Sequence, residues 1–267
     1  MPAASNEQPT MRPPFVAKNG VVSSGHGLAS AAGAEILRQG GNAFDAGVAT
    51  AMCLSILMPD YAGFVGVAPF IGYSAREKSV LCYSGVGSAP ARSNIHFFRS
   101  RGLEVVPRVS IYSQLIPASV DTWTAVLDRL GTMSFARVCA AARELAHDGF
   151  PAHRQMIKII TQKQDFIRNF PYNASIFFQT GGIPGLGEIF VQRDAAHSID
   201  LMAQAERKAI QAGKSRSQAL EAVRDVFYRG EIARAIAKLH QDESGLMDYE
   251  DLASFRGCWE DPLSTEY

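Results

Sequence analysis

Few side chains in this sequence have the types and spacing that would build a reaction centre by themselves. The four cysteines, Cys53, Cys82, Cys139 and Cys258, include no Cys-X-X-Cys pair and have no histidine at ligand spacing. A zinc site is therefore not predicted, and neither a metal nor a cofactor is expected. We interpret the thiols as buried and reduced, which is typical of a cytoplasmic protein.

Two further residues could contribute to a site. His26 stands at the entry to a predicted helix, where it is either a site-facing donor or a hydrogen-bonded structural histidine, and the structural role is favoured. Asp45 lies in the first turn of the next predicted helix, where a negative charge suits the helix dipole. We interpret Asp45 as a first-turn charge and not as a catalytic acid.

Composition and charge exclude several classes of partner. Of 267 residues, 47% are hydrophobic and 19% are charged, which is ordinary for a globular protein. Because 26 basic residues balance 26 acidic ones, neither a nucleic-acid groove nor a polybasic membrane patch is predicted. The longest mainly apolar run, residues 46–58, is too short to cross a bilayer. The N-terminus lacks the apolar core of a signal peptide.

The elements that would position a site follow from short-range patterns. Residues 1–19 are predicted to be a flexible tail, and residues 20–267 a single region. A strand is predicted over 20–24, a helix over 28–39 and a buried helix over 43–57, for which Asn42 is the N-cap. Gly33 would let a neighbouring element approach the first helix closely. A hairpin is predicted over 70–73 and 79–83. Later helices are predicted over 119–130, 134–147, 198–212, 215–227, 231–239 and 248–252. Strands early and helices later indicate an α+β fold or a layered α/β/α fold.

Four groups of motifs along the chain carry a family resemblance. They are VSSGHGLAS at 22–30; EILRQGGNAFDA at 35–46; LGTM at 130–133 with ELAHDGF at 144–150; and FYRGEIA at 227–233 with GLM at 245–247 and DLASF at 251–255. In their order and spacing they resemble the γ-glutamyltransferase family, over roughly residues 20–267.

The resemblance implies a fold, a reaction and a partner. The fold would be part of the αββα four-layer sandwich of an N-terminal-nucleophile hydrolase, of which this chain is the large-subunit portion only. The family's precursor cuts itself, and the new N-terminal Thr of the small subunit is the nucleophile, with its own α-amine as base. We expect the chain to be incomplete at its C-terminus, to pair with that small subunit as a heterodimer, and to be inert alone.

The resemblance also suggests where a small amide substrate would bind. In γ-glutamyl enzymes an Arg three residues before an Ala-Pro-Ala motif binds the substrate's α-carboxylate, and Val86 occupies that position here. The loop is more similar to that of the acylase-like relatives. The substrate that the resemblance implies would be a γ-glutamyl compound such as glutathione or, because the Arg is missing, another small amide. No catalytic residue is assigned within this chain. The candidate substrate-binding residues are Ser84, Gly85, Val86, Ser88 and Arg92.

Two questions remain open from the sequence. Arg92 could replace the missing Arg, because its guanidinium binds carboxylates bidentately, or it could be an exposed surface charge. The run at 66–70 has fewer glycines than the family pattern, so the backbone there takes a different path or the pocket is smaller. The alternative to an enzyme part is a decayed, non-catalytic relative that persists as a binding or structural module.

Overall fold

The computed structural model describes residues 15–266, so residues 1–14 of the predicted tail lie outside the described part, while residues 15–19 are exposed and form no helix or strand. The helices are α1 (Gly27–Arg38), α2 (Ala43–Leu57), α3 (Ile95–Arg99), α4 (Ser119–Arg129), α5 (Phe135–Val138), α6 (Ala140–Asp148), α7 (Arg154–Arg168), α8 (Pro171–Phe177), α9 (Arg193–Gln211), α10 (Arg216–Tyr228), α11 (Glu231–Asp242) and α12 (Tyr249–Ser254). The strands are β1 (Phe70–Ser74), β2 (Ser79–Ser84), β3 (Phe150–Pro151), β4 (Ile189–Phe190) and β5 (Cys258–Glu260). None of the described helices is both long and apolar enough to span a membrane.

Helices α1 and α2 pack against each other, and α2 is the buried helix that the sequence predicts. Helix α2 is buried over most of its circumference. It packs against α1 so closely that a Cβ on Gly33 would collide with the hydroxyl of Thr50, which confirms the predicted close approach. Asn42 caps α2 by accepting hydrogen bonds from the N–H groups of Phe44 and Asp45, at 2.8 and 3.0 Å. The cap therefore sets where α2 begins.

Asp45 does more than the predicted first-turn charge would do. Its carboxylate is fully buried and accepts hydrogen bonds from the Thr132 hydroxyl at 2.7 Å and from the N–H groups of Thr132 and Met133. It also accepts one from the N–H of Asn42 at 2.9 Å. A buried carboxylate needs such donors to offset the loss of its hydration. The start of α2 is thereby joined to the loop that follows α4.

One three-stranded antiparallel sheet, in the order β1-β2-β5, packs one face against the helices. On that face Phe70 packs edge-on against Phe44 of α2, and Tyr83 packs against Trp259 at 5.1 Å between ring centroids. The opposite face carries Ile71 and Tyr73, which are 69% and 63% exposed. Only one side of the sheet is therefore covered within residues 15–266.

The structure corrects several predicted elements. No strand forms over residues 20–24, which pair with no other strand in the described part of the chain. The predicted helix over 134–147 divides at Cys139. Helices α3, α7 and α8 and strands β3, β4 and β5 were not predicted. Helix α7 was missed because it buries fully only Met156, Ile160 and Ile167 along its fifteen residues, a narrow stripe among polar side chains.

Two histidines cap helices side by side. The Nδ1 atom of His26 accepts a hydrogen bond from the N–H of Leu28 at 3.2 Å, and that of His153 accepts one from Met156 at 3.3 Å. The rings lie 5.0 Å apart, and His153 Nε2 donates to the carbonyl of Leu57 at 2.8 Å. His26 is thus a structural histidine at a helix entry, as the sequence favours.

The His26 cap should make stability depend on pH. Partial burial first, and the neighbouring His153 second, lower the pKa of His26 below its ordinary value of 6.5. Below pH 6.5 the unfolded chain therefore binds more protons than the folded chain. The contribution of His26 to the free energy of unfolding is thus present above pH 6.5 and is lost as the pH falls below it. We expect His26→Asn, which keeps a capping oxygen but does not titrate, to lose about 2 °C less in Tm than the wild type between pH 7.5 and 5. Parallel Tm–pH curves for the two proteins would contradict this.

Candidate active-site segment

Residues 84–88 continue from the end of β2 and alternate between buried and exposed positions. Ser84 is the last residue of β2. Gly85 and Gly87 are buried, whereas Val86 and Ser88 are exposed. Four of the predicted substrate-binding residues, Ser84, Gly85, Val86 and Ser88, therefore form one extended segment, and Val86 presents its side chain outward.

Two neighbouring loops fix the path of this segment. The N–H of Ala68 donates to the carbonyl of Gly85 at 2.8 Å, and the N–H of Ile116 donates to that of Ser88 at 2.9 Å. A Cβ on Gly85 would collide with the Ala68 carbonyl, and one on Gly87 with the Ile116 carbonyl. Only glycine permits this approach at both buried positions.

The glycine-poor run at 66–70 also has a defined path. The carbonyl of Gly66 accepts hydrogen bonds from the N–H groups of Ala118 and Ser119, at 2.9 and 3.2 Å. The Ser119 hydroxyl donates to the carbonyl of Gly63 at 2.9 Å. The start of α4 thus orders the loop that lies against residues 84–88.

A buried ion pair beneath the segment joins it to the helices. Asp121 of α4 and Arg224 of α10 are each about 2% exposed, and their Oδ1 and Nε atoms lie 2.5 Å apart. The other carboxylate oxygen of Asp121 accepts from the hydroxyl of Tyr83 at 2.5 Å and from the N–H of Gly257 at 2.9 Å. Arg224 also donates to the carbonyl of Phe255. One carboxylate therefore ties β2, which ends at Ser84, and the residue before β5 to two helices.

Two tyrosines complete this group and stay protonated. Burial first, and the Asp121 carboxylate second, raise the pKa of Tyr83 and of Tyr228 well above the ordinary range. The Tyr228 hydroxyl donates to the carbonyl of Pro117 at 2.7 Å and accepts from the N–H of Asp121 at 3.3 Å. Tyr228 lies in the motif at 227–233, but neither it nor Tyr83, Asp121 or Arg224 was predicted to belong to a site. The one sequence feature that could have indicated this group is Asp121, an acidic residue in the first turn of α4, most of whose other residues are buried.

Arg92 has a different environment from residues 84–88. Its Nε atom donates to the carbonyl of Leu246 at 2.9 Å, and its Nη2 atom donates to that of Gly245 at 3.3 Å. The cavity that Arg92 lines contains none of residues 84–88. Arg92 is thus exposed, as one of the two alternatives predicts, but two backbone carbonyls hold its guanidinium, and it lines no cavity together with residues 84–88.

The cysteines offer no reactive group in the interior. The prediction that the thiols are buried is wrong for Cys82, which is half-buried, and for Cys258, which is exposed. Cys53 and Cys139 are buried, and burial raises the pKa of each thiol to about 12. Such thiols are unreactive near neutrality. No group of three or more His, Cys, Asp or Glu side chains within residues 15–266 is arranged to bind a metal ion.

Removal of the Asp121 charge should destabilise the protein strongly. Asp121→Asn would leave the Arg224 guanidinium buried and unpaired, which typically costs about 3–5 kcal/mol of unfolding free energy. Asp128→Asn on the same helix is the matched control, because Asp128 is exposed. This substitution should change the unfolding free energy by less than about 0.5 kcal/mol. Urea unfolding, followed by tryptophan fluorescence, measures both. Similar midpoints for the two variants would show that the ion pair does not have this importance.

The sequence of this chain is similar to that of a known protein over most of its length. The chain is 34% identical over 250 residues to the glutathione hydrolase-like YwrD proenzyme of Bacillus subtilis, which covers 92% of this chain and 44% of that protein. The chain therefore spans less than half the length of this curated relative.

Solved structures share the fold. The cephalosporin acylase from Bacillus halodurans superposes with a TM-score of 0.86 at 26% identity, covering 98% of this chain and 47% of that one. The γ-glutamyltranspeptidase of Helicobacter pylori superposes with a TM-score of 0.84 at 24% identity, covering 96% and 69%. These likenesses confirm the predicted α+β fold as part of an N-terminal-nucleophile hydrolase sandwich.

The family model described as gamma-glutamyltranspeptidase matches residues 29–267, nearly the whole chain. Together with the relatives, this confirms the resemblance carried by the motifs. The chain belongs to the gamma-glutamyltranspeptidase family and covers roughly the large-subunit portion of its members.

Proposed function

We propose that this chain forms the large-subunit side of an amide hydrolase or acyltransferase, and that a small subunit of the same precursor supplies the nucleophile. The nucleophile would be an N-terminal Thr whose own α-amine removes the hydroxyl proton, after which an oxyanion hole stabilises the tetrahedral intermediate. The relative from Bacillus subtilis is named a proenzyme and is more than twice as long as the matched region, which supports a two-part protein. The four free thiols, two of them buried, fit a cytoplasmic location.

The observation that carries this proposal is an uncovered strip in the middle of the fold. On α2 the small residues Ala43, Gly47 and Ala51 follow one another at i, i+4 and i+8, and they are exposed or half-buried. A Cβ on Gly47 would meet no atom within 4 Å. An otherwise buried, apolar helix with one open stripe of small residues leaves room for another backbone to lie across it.

Grooves run along both sides of this stripe. One, of about 700 Å³, separates it from residues 19–24, and the other, of about 410 Å³, separates it from β1. Residues 20–24 and the outer edge of β1 are both unpaired within the described chain. Unpaired strand edges are sites for further strands. We infer that strands of the small subunit lie across α2 between these two segments.

A buried donor in the second groove supports the same arrangement. Trp123 lines this groove, is 4% exposed, and has no hydrogen-bond partner for Nε1 among the described residues. Buried donors are nearly always paired in complete structures. A carbonyl or side chain of the incoming subunit would satisfy it.

We propose that residues 84–88 contact the acyl part of a small amide. The relatives suggest two kinds of substrate, because one is named a glutathione hydrolase-like protein and another a cephalosporin acylase. With the exposed, uncharged Val86 at the outward position, and two nitrogens of Arg92 committed to carbonyls, α-carboxylate binding should be weak. A small amide without the α-amino-acid head group is therefore the preferred substrate class.

The two-part proposal predicts that activity requires the small subunit. The isolated 267-residue chain should show no hydrolysis of γ-glutamyl-p-nitroanilide or of simple acyl anilides. It should bind a hydrophobic dye, because the α2 stripe and the outer sheet face are open.

Co-expression with the small-subunit reading frame should give a heterodimer, abolish dye binding and restore hydrolysis of at least one of these amides. Replacing the N-terminal Thr of that subunit by Ala is the control, which should keep the heterodimer and lose the activity. Hydrolysis by the isolated chain would contradict the proposal. A heterodimer inert on every amide would favour the decayed, non-catalytic relative, which the absence of the carboxylate-binding Arg also suggests.

Specificity should respond to a charge at position 86. In the heterodimer, Val86→Arg should raise kcat/KM for glutathione by roughly ten- to a hundredfold, since a bidentate carboxylate contact realised in the transition state is worth about 1.4–2.7 kcal/mol. Val106→Arg is the matched control, because Val106 is similarly exposed, at 49% against 52%, and lies elsewhere. High wild-type activity on glutathione that is lost in Arg92→Ala would instead place carboxylate binding at Arg92.

A further inference from the structure

A basic cleft lies apart from residues 84–88. It has a volume of about 960 Å³ and opens between the 92–101 segment and the region of α11 and α12. Four cations line it, Arg92, Arg101, Arg234 and Lys238, against one carboxylate, that of Asp248. Because the whole chain has a net charge of zero, this excess of positive charge is a local feature. We call this cavity the basic cleft.

None of the three arginines that line the cleft, Arg92, Arg101 and Arg234, forms an ion pair with any residue in the described range. The Arg101 guanidinium lies over the ring of Phe97 at 3.7 Å, and that of Arg234 faces Tyr249 at 5.7 Å. Arg101 Nη1 also donates to the carbonyl of Phe97 at 3.4 Å. Stacking on a ring orients a guanidinium and leaves the remaining N–H groups on its edge able to donate.

The other two cations, Arg92 and Lys238, are held by neighbouring groups in the lining of the cleft. Arg92 is fixed to the carbonyls of Gly245 and Leu246, so its charge stays at the cleft while two of its nitrogens support the loop before α12. Lys238 is paired with Asp242 at 2.9 Å one turn along α11. The cleft therefore combines three guanidinium groups that form no ion pair within the described residues, one held by backbone carbonyls and two placed against aromatic rings.

His240 contributes no charge of its own. It is 1% exposed, and its Nδ1 atom accepts a hydrogen bond from the N–H of Met247 at 3.3 Å. Burial first, and the nearby Arg92 second, lower its pKa, so the ring stays neutral near pH 7. The positive character of the cleft thus comes from the arginines and persists at neutral and alkaline pH.

We propose that the basic cleft binds a small multivalent oxyanion, either an organic phosphate or a polycarboxylate. Several guanidinium forks around one open cavity match the separated oxygens of such a ligand through charge-assisted hydrogen bonds. A monovalent carboxylate could engage only one fork. The volume of about 960 Å³ accommodates a ligand of metabolite size. This site is separate from the proposed acyl site and does not depend on the proposed reaction.

The test measures binding to the complete protein by isothermal titration calorimetry at constant ionic strength. Inorganic pyrophosphate and citrate are the two probes, and acetate is the monovalent comparison. We expect saturable binding of at least one probe, at least about tenfold tighter than acetate. The tighter probe distinguishes a phosphate ligand from a polycarboxylate.

The variants Arg101→Gln and Arg234→Gln should each weaken that binding by at least about tenfold, since each removes one charge-assisted contact. Arg168→Gln is the matched control, because Arg168 is also exposed and stacked on a ring, that of Phe178 at 4.2 Å, but lies outside the cleft. It should leave the affinity unchanged. Absence of saturable binding of both probes at millimolar concentration would overturn the proposal, as would equal effects of all three variants.

Discussion

The buried pair of Asp121 and Arg224 is the interaction on which the arrangement of this chain depends. Both groups lose their hydration in the interior, and such a loss is offset only when the charges meet each other and further donors and acceptors. Here the carboxylate receives three donors, from Arg224, Tyr83 and Gly257. These donors come from α10, from β2 and from the residue before β5. The two helices and the sheet are thus fixed relative to one another at one point.

The buried pair also determines where residues 84–88 lie. Tyr83 fixes the end of β2 to Asp121, and the next residues can pass between two loops only because Gly85 and Gly87 lack side chains. The side chains of residues 86 and 88 are consequently directed outward. The side chain at position 86 can therefore be substituted with little effect on packing. Proteins that share this fold can differ in substrate at such a position.

The surface of the chain is divided between two different kinds of feature. The α2 stripe and the outer face of the sheet are apolar and unpaired, which suits another polypeptide. The basic cleft is polar, with oriented guanidinium groups around an open volume, which suits a small anion. Arg92 belongs to the second feature although it lies only four residues after Ser88. Neighbours in sequence thus serve different surfaces because the chain turns away between them, and the N–H of Ala91 is bound by Asp251 of α12 at 2.8 Å.

The sequence by itself determined the family and the elements whose signals are local. The cap at Asn42, the apolar helix over 43–57 and the hairpin at 70–84 were predicted correctly, because capping, periodicity and turn chemistry act within a few residues. Tertiary structure alone decided the rest. Asp121 and Arg224 lie 103 residues apart, and Arg92 meets Leu246 across 154 residues, so no local pattern relates them. Residues 20–24 were mispredicted for a related reason. They have the composition of a strand, but a strand forms only where the backbone of another segment supplies the hydrogen bonds. Within the described residues no segment does so there.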